Sequence, residues 1–300
     1  MNLQEAYYEQ KFENEFLRAK GDAFQTFFER LMGLAYKADF MACCPWGNQG
    51  DHKNDGFLKS ERRLFQVYAP NEMEAAKAKA KITEDFSGAR AYWGAHFDSW
   101  VFVHNAADGL PPHIHKLLLD FEAANRGIRL QPWGLEELRL IFRKLTVDDK
   151  EIWFGLAPTD ATKMKMGFGD LKVVLERIAA LPAPPITDVR DVPMGKIEAN
   201  ALSEAVAQLL KEGMIKSQLV SDFLTRWYDE TLGERLAEAF RAEYRRLRGD
   251  YGPNQIFAEL QSWAGGSDRG TPEHELAVLT VIAYYFERCD IFEEPRSAAP

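Results

Sequence analysis

The chain has 300 residues, of which 46% are hydrophobic and 12% aromatic, a composition typical of a folded protein with roughly two domains. Its net charge of −9 argues against a strong, nonspecific nucleic-acid binder. The acidity belongs to the second half: residues 1–145 carry 19 basic and 20 acidic side chains, whereas residues 146–300 carry 18 and 26. The first half therefore retains the capacity to approach a phosphate backbone.

The cysteine count and the apolar runs predict a cytoplasmic protein. Residues 1–20 are rich in Glu, Gln and Lys and do not resemble a signal peptide. The longest apolar run, 276–286, is about half the ~20 residues that a membrane-spanning helix needs. Three cysteines are too few and too poorly spaced for a disulfide framework or a zinc site.

The first half alternates between helical and strand-like patterns. Strand-like runs lie at 39–45, 55–58, 64–68, 100–104 and 128–131. Helical spacing of apolar residues, or helix-favouring composition, predicts helices at 3–20, 23–36, 71–92, 113–125 and 135–145. Asn71 is the expected N-cap of the third. This order predicts a mixed α/β domain in which helices cover a central sheet.

The second half reads as helical. Residues 146–196 are rich in proline and glycine and predict a connector with one helix at 170–180. Further helices are expected at 199–212, 216–230, 233–248, 253–263 and 272–289, with Gly213 as a C-cap. The predicted domains are therefore 1–145, the connector 146–196 and an all-α domain at 197–300. The run 276–286 is apolar on all sides, as expected for a bundle centre or a partner contact.

The predicted hairpin of 55–58 and 64–68 carries the residues of greatest chemical interest. Asp51, Asp55, Gln66 and Lys53 would crowd its open end, and small clusters of hard oxygen ligands bind a divalent cation and activate water. A polar hairpin with Asp-Gly turn chemistry is the alternative. Glu29, beside the apolar face of the second helix, either points toward the end of the sheet or is solvated.

The first domain resembles the PD-(D/E)xK (restriction-endonuclease-like) nucleases, whose core is a helix, three strands, a helix and a fourth strand. In that family an acid opens the second strand, and an acid or Gln stands two positions before a Lys on the third. Asp55 and Gln66 match the first two positions, and Glu29 matches an additional acid on the first helix.

The third position holds Tyr68, which departs from the family pattern. A tyrosine cannot supply the positive charge that orients the attacking water and steadies the phosphate. Lys53 from the preceding loop or Lys77 from the following helix would replace that charge. Otherwise the domain is a nuclease relic that binds DNA or protein without cutting it.

A longer pattern resembles effector subunits of bacterial anti-phage systems, namely the ABC three-component systems related to Lamassu. It comprises K-N-D-G-F (53–57), F-Q-V-Y-A-P (65–70), W-V-F-V-H-N (100–105) and, in the second half, K-I-E-A-N-A-L-S (196–203). The resemblance implies an SMC/ABC-type ATPase and a small middle subunit as partners, docked through the C-terminal helical region.

These features predict a metal-dependent DNA endonuclease, held inactive in a complex until it is released or oligomerises. Asp55 and Gln66 would bind Mg²⁺ or Mn²⁺, with Asp51 or Glu29 completing the site and Lys53 orienting the water. A catalytically silent adaptor that binds DNA or partner subunits is the alternative, favoured by Tyr68. A third reading is a repair nuclease that cuts DNA without partners.

Overall fold

The computed structural model describes residues 1–43, 53–180, 195–266, 270–288 and 290–293. The chain divides into two compact units, which we call the α/β unit (15–149) and the helical unit (1–14 and 150–300). In chain order the elements are α1 (Leu3–Arg18), α2 (Asp22–Tyr36), β1 (Phe40–Ala42), β2 (Gly56–Leu58), β3 (Arg63–Tyr68), α3 (Ala75–Trp93), β4 (Ser99–His104), α4 (Pro112–Ala124), β5 (Arg129–Trp133), α5 (Leu135–Arg143), α6 (Val147–Phe154), α7 (Asp160–Lys165), α8 (Phe168–Ala179), α9 (Lys196–Ala199), α10 (Glu204–Met214), α11 (Ser217–Arg226), α12 (Leu232–Leu247), α13 (Pro253–Gly265) and α14 (Pro272–Glu287).

The α/β unit contains a five-stranded mixed sheet with the strand order β1-β2-β3-β4-β5. Strand β2 runs antiparallel to both of its neighbours, β1 and β3. Strand β4 is parallel to β3, and β5 is parallel to β4, because helices α3 and α4 connect them. A mixed sheet with helices, followed by helical elements after β5, agrees with the predicted α/β and all-α classes.

The two faces of the sheet bury different side chains, because successive residues of a strand project to opposite sides. On one face Leu64 and Phe102 pack with residues of α3 and α4. On the other face the ring of Phe65 lies 5.3 Å from that of Phe28 on α2. The alternation along β3 therefore places Gln66 on the face that α3 covers.

The helical unit is built around α14, whose inner residues are buried on all sides by α7, α8, α10, α11 and α13. The bundle-centre interpretation of the apolar run 276–286 is thus the one that the structure supports. The predicted C-cap at Gly213 is wrong, since α10 continues to Met214. Gly213 instead permits close approach of α14: an added Cβ would lie 2.6 Å from the carbonyl oxygen of Leu279.

Other element boundaries differ from the predictions for local reasons. Helix α3 begins at Ala75, so Asn71 is not its N-cap. The predicted helix at 199–212 is broken, because Ala201 has a positive φ of 48° and Ser203 caps a new helix, α10. Where the connector was expected to hold one helix, the structure has α6 and α7 as well, and Thr159 caps α7. Within the described ranges no helix is both long and apolar enough to cross a membrane.

Candidate functional site

The candidate site is centred on two side chains from neighbouring strands. Asp55 directly precedes β2 and Gln66 lies in β3, and the register that pairs Gly56 with Phe65 places Asp55 opposite Gln66. The Nε2 amide of Gln66 and the backbone N–H of Val67 both donate to Oδ2 of Asp55, each over 2.6 Å. Both side chains are 4% exposed. The structure thus brings Asp55 and Gln66 into direct contact on one face of the sheet.

The side-chain carbonyl oxygen of Gln66 is buried and has no hydrogen-bond partner among the described residues. An unsatisfied buried acceptor costs about 1–3 kcal/mol, so folded proteins retain few of them. Reversing the amide would not satisfy it, because the oxygen would then face the carboxylate of Asp55. An acceptor in this position is suited to a bound cation or to a donor group on a ligand.

The residues on either side of Asp55 hold its backbone in place. The Oδ1 atom of Asn54, itself buried, accepts a hydrogen bond of 3.0 Å from the backbone N–H of Gly56. The ring of Phe40 fills the space beside Gly56, where an added Cβ would lie 2.6 Å from a ring carbon. The sequence analysis gave neither Asn54 nor Gly56 a role; the Asn-Asp-Gly triplet was the available signal, as an Asx-type turn.

The ammonium group of Lys53 lies against α3. Its Nζ is 2.6 Å from Oε1 of Glu84 and 3.1 Å from Oδ1 of Asp85, which is fully buried. The Nζ of Lys81 lies 3.0 Å from the second oxygen of Asp85. The hydrogen bond between Lys53 and Glu84 is the main cause that raises the pKa of Lys53 and lowers that of Glu84. These ion pairs anchor the residues that precede β2 to α3.

Of the two remaining predicted acids, only Glu29 lies within the described residues. Glu29 lies on α2, which packs on the opposite face of the sheet from Gln66, and its carboxylate accepts a hydrogen bond of 2.9 Å from Gln25. The structure therefore does not bring Glu29 to Asp55 or Gln66. Asp51 lies outside the described residues, so its predicted place in the site stays a prediction.

Tyr68 ends β3, two residues beyond Gln66, and its ring packs on that of Phe102 with centroids 5.8 Å apart. Lys77, in the first turns of α3, donates a hydrogen bond of 2.6 Å to Glu74. That hydrogen bond is the main cause of the raised pKa of Lys77. A smaller electrostatic contribution from Tyr68 raises this pKa further. Tyr68 is therefore close enough to Lys77 to influence the pKa of this lysine.

A buried histidine, to which the sequence pattern assigned no role, lies beside Tyr68 at the end of the neighbouring strand. His104 is level with Tyr68 in the parallel register, and its Nδ1 accepts a hydrogen bond of 3.3 Å from the backbone N–H of Ala106. Burial lowers the pKa of His104 to about 4, against the opposing charge of Glu137. The imidazole is therefore neutral near pH 7, with its proton on Nε2. A histidine that ends an otherwise apolar strand was the available signal.

The side chains of Asp55 and Gln66 would together supply two oxygen ligands to a hard divalent cation. Asp55 offers a carboxylate oxygen, and Gln66 offers the amide oxygen that no protein group satisfies. Mg²⁺ commonly keeps several waters and takes one or two protein oxygens together with substrate phosphates. In the described part of the chain, no group of three or more His, Cys, Asp or Glu side chains could hold a metal ion. Water and phosphate would have to complete the coordination.

Comparison with protein families finds a match in the helical unit. Residues 169–293 match the family model of C-terminal domain 10 of the ABC-three component (ABC-3C) systems. The matched range runs from α8 to the residues that follow α14. This match supports membership of the chain in an ABC-three component system. No curated protein and no solved structure matched the chain.

Proposed function

We propose that the chain is the effector subunit of an ABC-three component anti-phage defence system, and that its α/β unit is a metal-dependent DNA endonuclease. The match of residues 169–293 supports the first part. The order of elements from α2 to β4 supports the second: it is the helix, three strands, helix and strand that the PD-(D/E)xK resemblance implies, with β5 added.

One observation carries the nuclease proposal. Asp55 and Gln66 are in contact on neighbouring strands, and the Gln66 carbonyl oxygen is buried without a hydrogen-bond partner in the described structure. A purely structural Asp–Gln pair would be expected to satisfy both amide atoms, since the unmet acceptor lowers stability. If the amide turns so that its oxygen faces the Asp55 carboxylate, a cation held between the two groups would replace the present hydrogen bond and remove that cost.

In the proposed reaction, Asp55 and Gln66 hold Mg²⁺ or Mn²⁺. A bound divalent cation stabilises charge on a phosphoryl oxygen and lowers the pKa of a bound water. Lys77 is the better candidate to replace the absent lysine at Tyr68, because its ion pair with Glu74 is exposed and weak, whereas Lys53 is held by Glu84 and by the buried Asp85. Lys53 then serves to hold the segment that carries Asp55.

The neutral amide of Gln66 gives the site a built-in restraint. With one carboxylate in place of two, the site attracts a divalent cation more weakly, so DNA phosphates would have to complete the coordination. The acidic second half of the chain also disfavours loose DNA binding through like-charge repulsion. Both features suit an effector that stays inactive until its partners release it or copies of the chain assemble.

The partners we propose are those that the resemblance implies. An SMC/ABC-type ATPase and a small middle subunit would dock through the helical unit, which contains the matched C-terminal domain.

Plasmid nicking tests the proposal. Purified chain, alone and together with the other two components of its system, is incubated with supercoiled DNA and Mg²⁺ or Mn²⁺. We expect metal-dependent cleavage that Asp55→Asn lowers by at least about 1,000-fold, because the ligand charge is removed while the side-chain shape is kept. Asp108→Asn, at an exposed loop position, is the matched control and should cut as the unchanged chain does.

The silent adaptor remains the second candidate, because Tyr68 stands where the related nucleases place lysine and Lys53 is engaged by α3. It predicts no cleavage under any condition and full protection of cells by Asp55→Ala. Cleavage by the chain without partners would instead favour the solitary repair nuclease. Loss of protection in Asp55→Ala, with assembly of the complex intact, would support the endonuclease.

A further inference from the structure

We propose that the α/β unit carries a second interaction surface, which docks an acidic segment of a partner protein. Its residues are Arg90, Arg126 and Arg129, which we call the arginine surface. This inference goes beyond the proposed nuclease activity and does not depend on it. It rests on unpaired charge, on two apolar grooves and on the place of both in the fold.

The three arginines lie at one end of the unit. Arg90 is in the last turn of α3, Arg126 follows α4, and Arg129 opens β5. All three are exposed, and within the described ranges none of their guanidinium groups has a hydrogen bond or an ion pair. Some other surface cations of this unit are paired, for example Arg62 with Asp98 at 2.7 Å and Lys116 with Asp120 at 2.8 Å. The exposed Lys59, Lys79 and Lys144 are unpaired in the described structure, but they line neither of the grooves described below.

Two shallow grooves flank the end of α4 between these arginines. The first, of about 410 Å³, is lined by Arg90 and by apolar groups of α3 and α4 that include Phe86, Ala91 and Phe121. The second, of about 640 Å³, is lined by Arg126 and Arg129 together with Leu119, Ala123 and Ile128. Leu119 is 65% exposed, although it is a large apolar side chain. The surface therefore offers apolar contact area next to each cationic group.

Nearby acids do not neutralise this surface. Glu122, which lines the second groove, uses its Oε2 to accept a hydrogen bond of 2.8 Å from the backbone N–H of Leu130. Asp120 pairs with Lys116. Arginine combined with aromatic and aliphatic groups is the composition of protein-binding hot spots, and guanidinium groups bind carboxylates in bidentate fashion. The complementary partner is an amphipathic segment with alternating carboxylate and apolar side chains.

Two features favour a protein over DNA as the occupant. The groove linings place apolar groups beside the arginines, and the carboxylate of Glu122 in the second groove would repel a DNA phosphate. The surface also lies where β4 and β5 begin, while Gln66 is in the second half of β3, toward the opposite end of the parallel strands. DNA held at Asp55 and Gln66 would approach that opposite end.

The test uses the full chain and the purified other two components of its own system. The variant Arg90→Glu/Arg126→Glu/Arg129→Glu is compared with Lys59→Glu/Lys79→Glu/Lys144→Glu, which makes the same charge change at exposed positions of the same unit. We expect the arginine variant to bind the other components at least about 100-fold more weakly, and the lysine variant to bind as the unchanged chain does. Circular dichroism and thermal unfolding verify that both variants fold.

The outcomes separate the possible occupants. The proposal is supported if only the arginine variant binds the other components more weakly, and if the salt dependence of this binding, present in the unchanged chain, is lost in that variant. Unchanged assembly overturns it, as does failure of the unchanged chain to bind the other components. Fluorescence anisotropy with a random-sequence DNA duplex is measured in parallel: loss of duplex binding with assembly intact would identify a DNA surface and overturn the proposal. Because none of these readouts involves cleavage, an inactive nuclease site would not affect them.

Discussion

Two buried polar clusters, one in the helical unit and one in the α/β unit, differ in how completely they are paired. In the helical unit, the Nζ of Lys196 donates to the carbonyl oxygens of Phe286 and Ile291 at 2.9 and 2.6 Å. Both oxygens of the buried Glu238 carboxylate are paired, with Arg241 at 3.0 Å and Arg245 at 2.6 Å. Lys196 ties α9 to the end of α14 and the residues that follow it, and the Glu238 pairs lie within α12, so these groups serve architecture.

The α/β unit keeps groups that are only partly paired. Gln66 donates to Asp55 and leaves its carbonyl oxygen unmet, and His104 is buried as a neutral imidazole. A partly satisfied polar group lowers stability unless something else binds there. Unmet buried polar atoms occur in both units, for example on Gln261 of α13, so the contrast applies to these two clusters and not to the units as a whole. What distinguishes the Gln66 oxygen is that its amide contacts a buried carboxylate from the neighbouring strand.

The largest stability effect we expect is in the helical unit. Lys196→Met keeps the length of the side chain but leaves two buried carbonyl oxygens without their donor, so the free energy of unfolding should fall by about 3 kcal/mol. Urea unfolding followed by circular dichroism measures this. Lys211→Met, at an exposed position, should change it by less than about 0.5 kcal/mol. Equal losses of stability in the two variants would contradict the structural role assigned to the buried Lys196.

An intermediate effect should follow from His104. Its pKa is about 4 in the folded chain and 6.5 when unperturbed. Between these values the unfolded chain binds a proton that the folded chain does not, so stability falls as the pH is lowered from 6.5 to 4, by at most about 3 kcal/mol. Urea unfolding at several pH values should show a shallower fall in His104→Asn. His96→Asn, at an exposed histidine, should keep the full slope.

The smallest stability effect, and the sharpest test of the comparison, is at Gln66. In Gln66→Met the lost hydrogen bond to Asp55 is offset by removal of the unmet acceptor, so stability should change by less than about 1 kcal/mol. Plasmid cleavage should nevertheless fall at least about 100-fold. Gln131→Met, at an exposed position of β5, serves as the control for both measurements. A loss of more than about 2 kcal/mol would mean that the amide is structural.

Part of this arrangement was predictable from the sequence because it depends on local periodicity. The alternation in 64–68 and the Asp-Gly start of the preceding strand predict a hairpin, and a hairpin register places Asp55 opposite Gln66. The all-round apolar pattern of 276–286 likewise predicted a central helix. In both cases the residues that decide the structure are close together in the chain.

The rest depends on contacts between residues that are distant in sequence. Lys53 was expected to serve the site, but its partners Glu84 and Asp85 lie on α3, and nothing near Lys53 indicates them. The role of Lys196 required the carbonyl groups of residues 90 and 95 positions away. The polar residues were therefore identified from the sequence, whereas their partners were set by tertiary packing.

The two outermost strands of the sheet have a consequence for self-association. Strand β1 has three residues, and β5 contains Pro132, which has no backbone N–H to donate. A short edge and a proline-containing edge are poor templates for another strand, so neither border of the described sheet invites pairing between copies. If copies of this chain assemble, we expect their contacts to be made by helices and side chains, and the backbone ladder of each sheet to end within its own molecule.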